Sequence, residues 1–189
     1  MRIIVGISGA SGVILGFHML LALKEHPEIE IHLIITEGAK TTFNYEANIT
    51  IEEVEGLADY VHKNNNLAAS ISSGSFKTDG IIILPCSMKT LSGIANGYAE
   101  NLLIRAADVC LKENRRVVLV PREIPLSKIH LRNLMEANDL GCTIIPPMLT
   151  FYNNAKTVDE QINHIIGKIL MQFGLEFTKF NPWNGNEYD

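Results

Sequence analysis

The segment Arg2–Gly12, Arg-Ile-Ile-Val-Gly-Ile-Ser-Gly-Ala-Ser-Gly, constrains the fold more than any other. An apolar run of strand composition empties into Ser8-Gly9-Ala10-Ser11-Gly12. Apolar residues at helical intervals follow at once: Val13, Ile14, Phe17, Leu20 and Leu21. A strand, a turn of small residues and a helix, in that order, is how α/β proteins turn backbone N–H groups toward a phosphate. Glycine lets the backbone approach a ligand closely, and the hydroxyls of Ser8 and Ser11 can bond phosphate oxygens. The turn lacks the full G-x-G-x-x-G spacing, so a mononucleotide is expected rather than a dinucleotide.

The rest of the chain repeats that unit. Strands are expected at Glu30–Thr36, Tyr60–His62, Gly80–Leu84, Arg116–Val120 and Cys142–Ile145. Helical patterns cover Glu37–Tyr45, Ile51–Asp59, Met88–Asn96, Glu100–Lys112, Leu126–Asn138 and Thr157–Phe173. Gly80–Leu84 is nearly continuous Ile and Leu, as a central parallel strand buried on both faces should be. Thr157 is placed to cap the last helix, whose apolar face is Val158, Ile162, Ile165, Ile166, Ile169 and Leu170. Residues 63–79, rich in Asn, Ser and Gly, read as a long loop. The alternation predicts a doubly wound parallel sheet. Ligands on such sheets bind beyond the carboxyl ends of the strands, which selects Ser8–Gly12, Thr36, Pro85–Thr90, Pro121–Pro125 and Pro146–Tyr152.

Composition narrows the function classes. A chain of 189 residues with a net charge of −5 suits one acidic α/β domain and lacks a nucleic-acid footprint. Cys86, Cys110 and Cys142 form no C-x-x-C pair and read as small buried hydrophobes in a reducing compartment. The histidines show no H-E-x-x-H, so no metal site is expected. With no leader and no apolar run long enough for a bilayer, a cytoplasmic protein without membrane contact is expected.

Several polar residues near strand ends carry two readings each. Ser87 caps the next helix or, with Thr90, bonds a phosphate or a ring carbonyl. Arg122 offers a planar donor fork to a phosphate or flavin-type carbonyl, or pairs with Glu123 at the surface. Tyr152 is a packed tyrosine or a ligand contact, and Lys168 a surface lysine on the last helix or a phosphate contact. Glu46 and Lys112 taken alone are ordinary surface charges. Trp183 reads equally as a lid, an oligomer contact or tail packing.

Together these stretches resemble the UbiX-type flavin prenyltransferases, also described as the phenylacrylic acid decarboxylase family. The matching text is Gly9-Ala10-Ser11-Gly12, Ser73-Gly74-Ser75, Pro85-Cys86-Ser87-Met88-Lys89-Thr90, Asn101-Leu102-Leu103, Arg105–Val109, Leu111-Lys112-Glu113, Pro121-Arg122-Glu123 and Pro125-Leu126. It continues through His130-Leu131, Asn133 and Phe151-Tyr152, and spans Arg2 to Gly174. The tail around Trp183-Asn184-Gly185 is similar to that of family members associated with hydroxyarylic acid decarboxylases. A three-layer Rossmann-like flavoprotein sandwich with parallel strand order 3-2-1-4-5-6 is therefore expected. Residues 1–174 are expected to form a single domain and 175–189 a tail.

The resemblance implies reduced FMN and dimethylallyl monophosphate as substrates, joined at flavin N5 and C6 without a metal. The prenylated FMN would serve a UbiD-type decarboxylase, and the chain would form trimers or dodecamers. By the same resemblance FMN is held by Gly9, Ala10, Ser11, Thr36, Ser87, Met88, Lys89, Thr90 and Arg122, with Thr36 standing where serine is usual. Tyr152 and Lys168 meet the prenyl phosphate, Lys168 where arginine is usual, and Lys112, Arg122 and Glu46 complete that polar end. Catalytic roles fall to Ser11, Glu46 and Lys112. Glu46, Ser11 or the released phosphate takes the ring-closure proton. Two other readings stand beside the transferase: an FMN storage or delivery protein, and a relative of the flavin-dependent cysteine decarboxylases.

Overall fold

The computed structural model describes residues 1–183 and Gly185, and the expectations placed on Asn184 and residues 186–189 lie outside the described residues. Six strands form one sheet in the order β3-β2-β1-β4-β5-β6, every neighbouring pair parallel. They are β1 (Arg2–Ile7), β2 (Glu30–Ile35), β3 (Tyr60–Lys63), β4 (Gly80–Cys86), β5 (Arg116–Pro121) and β6 (Thr143–Ile144). The chain winds outward from β1 to β3, then crosses back to β4 and winds the other way. The crevice between β1 and β4 is thus the switch point where doubly wound sheets bind ligands.

Strand alternation sorts the core into two layers. Ile3, Val5 and Ile7 of β1, with Ile82 and Leu84 of β4, face α1 (Ile14–Lys24), α2 (Glu37–Glu46), α3 (Ile51–Glu55) and α7 (Val158–Leu170). Ile4, Ile81 and Ile83 face the opposite way, onto α4 (Met88–Ala95), α5 (Leu102–Lys112) and α6 (Lys128–Asp139). Each fully buried isoleucine contributes about 1.5–3 kcal/mol. Leu103 Cδ1 of α5 packs into the space that Gly6 on β1 leaves open, where a Cβ would make it shift.

Five helices are shorter than their sequence patterns, α4 by the single residue Asn96, which is its C-cap. α5 starts at Leu102, because the Asn101 side chain caps it by accepting from Ile104 N. α6 starts at Lys128, behind a capping box built by Ser127 and His130. α3 stops at Gly56. α7 gives way to a 3₁₀ turn at Met171–Phe173, closed by the left-handed Gly174. Thr157 does cap α7, again with a capping box. β6 is only two residues long, and the loop after β3 holds a 3₁₀ turn at Ser70–Ser72. Beyond Gly174, Leu175 and Phe177 pack on the first core layer. All three cysteines are free and buried, and burial raises their thiol pKa values, to about 11 for Cys110 and Cys142. No helix among the described residues is long and apolar enough to cross a membrane.

Candidate mononucleotide site

A cavity of about 630 Å³ opens at the switch point. Five strand tips supply its wall: Gly9, Ala10 and Ser11 after β1, Thr36, Glu37 and Gly38 after β2, Asn64 after β3, Ser87–Thr90 after β4, and Arg122 and Glu123 after β5. Asn101 and Ile104 of α5 close the rim. The volume is that of a cofactor pocket. Three helices point their N-termini at it, and each N-cap side chain accepts a hydrogen bond from its own first turn: Thr36 from Ala39 N, Ser87 from Thr90 N, Asn101 from Ile104 N. Each such terminus carries roughly half a positive charge, so the rim attracts anions although the chain is acidic.

Arg122 adds the full positive charge. Among the described residues no carboxylate lies in ion-pair contact with it. Glu123 instead accepts from Ile124 N at 3.0 Å. Lys89 is paired with Glu100 at 2.8 Å, so it contributes less charge to the cavity than its position suggests. The donor set suits a phosphate and a carbonyl-bearing ring: hydroxyls at Ser11 and Thr90, the Ser87 hydroxyl that here donates to Thr90 Oγ1 at 3.1 Å, and a guanidinium.

Ser8 departs from its expected role. Its hydroxyl is buried, donates to Pro85 O at 2.9 Å and accepts from Ser87 N at 2.7 Å. It therefore braces the β1 tip against the β4 tip and has nothing left for a phosphate. The glycine turn is held from two further sides. Glu46, at the end of α2, accepts from Gly12 N at 2.7 Å. Gly9 lies against Gly38 so closely that a Cβ on Gly9 would stand 2.9 Å from the Gly38 carbonyl carbon.

Nine residues expected at FMN, namely Gly9, Ala10, Ser11, Thr36, Ser87, Met88, Lys89, Thr90 and Arg122, border this one cavity. The four remaining site candidates do not border it. Glu46 stands behind the glycine turn. Lys112 closes the far end of α5, about 12 Å along the axis from Ile104 at helical rise, and pairs with Glu113 at 2.5 Å. Tyr152 and Lys168 gather elsewhere. The Tyr152 hydroxyl lies 3.0 Å from His164 Nε2, and Lys168 is one turn beyond His164 on α7. Trp183 sets its ring edge-on to Tyr152, with centroids 6.0 Å apart.

Sequence reading passed over Glu37, Gly38, Asn64, Asn101 and Ile104 as cavity residues. Asn64 was within reach: it directly follows β3, so the strand-tip rule applied to that strand selects it. Its side chain accepts from Leu103 N at 3.0 Å, which ties the β3 tip to α5.

The fold and this cavity define an α/β protein of the mononucleotide-binding flavoprotein class, and the family described as Flavoprotein matches residues 1–174. A probable UbiX-like flavin prenyltransferase of Sedimentibacter hydroxybenzoicus is 71% identical over 189 residues, covering 100% of both chains. The solved structure of a dodecameric FMN-dependent UbiX-like decarboxylase from Escherichia coli superposes with a TM-score of 0.96 at 50% identity, over 98% of this chain and 100% of that one. AnUbiX (PadA1), solved in complex with FMN and dimethylallyl pyrophosphate, gives 0.95 at 46% identity over 98% of each chain. This chain belongs to the UbiX-like flavin prenyltransferase family.

Proposed function

We propose that this protein is a flavin prenyltransferase, joining the dimethylallyl group of dimethylallyl monophosphate to N5 and C6 of reduced FMN. The observation that carries this reading is the convergence of five strand tips and three helix N-termini on one mononucleotide-sized cavity, in a chain 71% identical to a probable enzyme of that kind. When bound, reduced FMN supplies the two ring positions that are alkylated. The chain's own residues bind, orient and shield. Turn amides and the hydroxyls of Ser11, Thr36, Ser87 and Thr90 hold the mononucleotide, and Arg122 balances its charge.

An allylic phosphate ionises when its departing charge is stabilised by groups already in place. Tyr152, Lys168, Lys112 and Arg122 are the groups assigned to that charge. Ser11, Glu46 or the departing phosphate receives the ring-closure proton. Tyr152, Lys168 and Lys112 stand off the cavity of their own chain, so a neighbouring copy is the natural source of these groups. A relative that crystallised as a dodecamer supports such an assembly. An assembly also closes the cavity against water, which would otherwise capture the allyl cation. The product is proposed to pass to a UbiD-type decarboxylase, in the cytoplasm. Mixing the protein anaerobically with reduced FMN and dimethylallyl monophosphate should raise the flavin's mass by one isoprenoid unit. An unchanged flavin mass would refute the transferase.

A further inference from the structure

His164 sits where the apolar face of α7 should be closed by a hydrophobe, flanked by Ile162, Ile165 and Ile166, and it is 4% exposed. A buried imidazole at such a place is retained for a hydrogen bond. The bond it makes is to the Tyr152 hydroxyl, at 3.0 Å from Nε2. The rings meet edge to face, with centroids 5.4 Å apart. Phe180 packs on the imidazole at 5.2 Å. Tyr152 itself is 45% exposed, so one side of its phenol is anchored and the other is open.

We propose that His164 is the positioning residue that fixes the Tyr152 phenol and directs its O–H outward, toward the prenyl phosphate. The inference rests on the reading that Tyr152 meets that phosphate. The direction follows from donor counting. A phosphate dianion only accepts, so the phenol must donate to it. The phenol oxygen must then accept from His164, which requires the proton on Nε2 and a bare lone pair on Nδ1. Among the described residues, Nδ1 is a buried side-chain atom without a hydrogen-bond partner. Burial lowers the pKa of His164, and the Lys168 charge adds to this against a smaller opposing pull from the Asn181 backbone. The imidazole is therefore neutral, with one proton to give.

The test is steady-state kinetics on the full-length protein with reduced FMN and varied dimethylallyl monophosphate. In His164→Gln the amide nitrogen stands where Nε2 stood. In His164→Asn an amide of the same polarity is one methylene too short to reach Tyr152. The Asn variant should raise the KM for dimethylallyl monophosphate about fivefold or more, the worth of one hydrogen bond. The Gln variant should stay within about twofold of the wild type, and FMN affinity should be unchanged in both. His164→Asn combined with Tyr152→Phe should be no worse than Tyr152→Phe alone, because the two act as one unit. Equal KM values for the Gln and Asn variants, or effects that multiply in the double variant, overturn the inference. A Tyr152→Phe variant with wild-type KM overturns the reading beneath it and the inference with it.

Discussion

Ser8→Ala isolates the brace under the cavity. The variant removes one hydroxyl that bridges two strand tips, and the two ends of the bridge suffer unequally. Pro85 O keeps a donor, because Ser8 N already donates to it at 3.2 Å. Ser87 N–H loses its partner, the Ser8 hydroxyl at 2.7 Å. An N–H left unpaired away from water costs about 1–3 kcal/mol. For a chain of this size each kcal/mol moves the melting temperature by about 2–4 °C, so the apoprotein should melt about 2–12 °C lower. Ser87 is also the N-cap of α4 and a cavity residue, so FMN affinity should fall about fivefold or more. Thermal melting of the apoprotein and quenching of flavin fluorescence on titration read the two effects. A variant that melts and binds FMN like the wild type would show that the brace is not what holds the β1 and β4 tips together.

Three further outcomes are expected. Gly9→Ala places a methyl 2.9 Å from backbone at Gly38 that cannot rotate away, so FMN binding should weaken by about tenfold or more, read by the same titration. Lys168→Ala should raise the KM for dimethylallyl monophosphate while leaving the FMN dissociation constant unchanged; loss of FMN would contradict the division of roles. Glu30 concerns stability: its hydrogen bonds, to Arg2 first and His32 second, lower its pKa from 4.5 to about 2. A lowered folded-state value makes the ionised side chain stabilising above the ordinary carboxylate range, with that contribution lost as pH falls toward about 2. Glu30→Gln should thus melt below the wild type at neutral pH, and the gap should close on acidification; a gap that holds constant in melts across pH would refute this.

The doubly wound parallel sheet and the residues around the switch-point cavity were legible because both follow from local patterns, whereas the strand order came from the family resemblance. Small residues after β1, a capping Ser87 after β4 and Arg122 after β5 each announce a strand tip, and the switch-point rule brings tips together without any knowledge of packing. Ser8 was misread because sequence shows a hydroxyl in a glycine turn but not the direction in which it points. In the structure a neighbouring strand consumes both of its hydrogen-bonding roles. His164 was hidden for the opposite reason. It interrupts an isoleucine stripe, and the residue that explains it, Tyr152, lies twelve positions away in a loop. Asn64 was lost because β3 is short and its burial is slight, so the strand end blurred into the polar loop. Helix starts were displaced wherever a cap lay inside the periodic pattern, as at Asn101 and Ser127.

Among the described residues, those bordering the cavity all lie at or before Glu123, whereas Tyr152, His164, Lys168 and Trp183 all follow β6. The chain is thus divided in order as well as in space. A crossover within α6 between two relatives would transplant the whole cluster around Tyr152 as one cassette and leave the nucleotide cradle in its original sequence. Recombination at that point, in the laboratory or in evolution, can exchange one half without rebuilding the other.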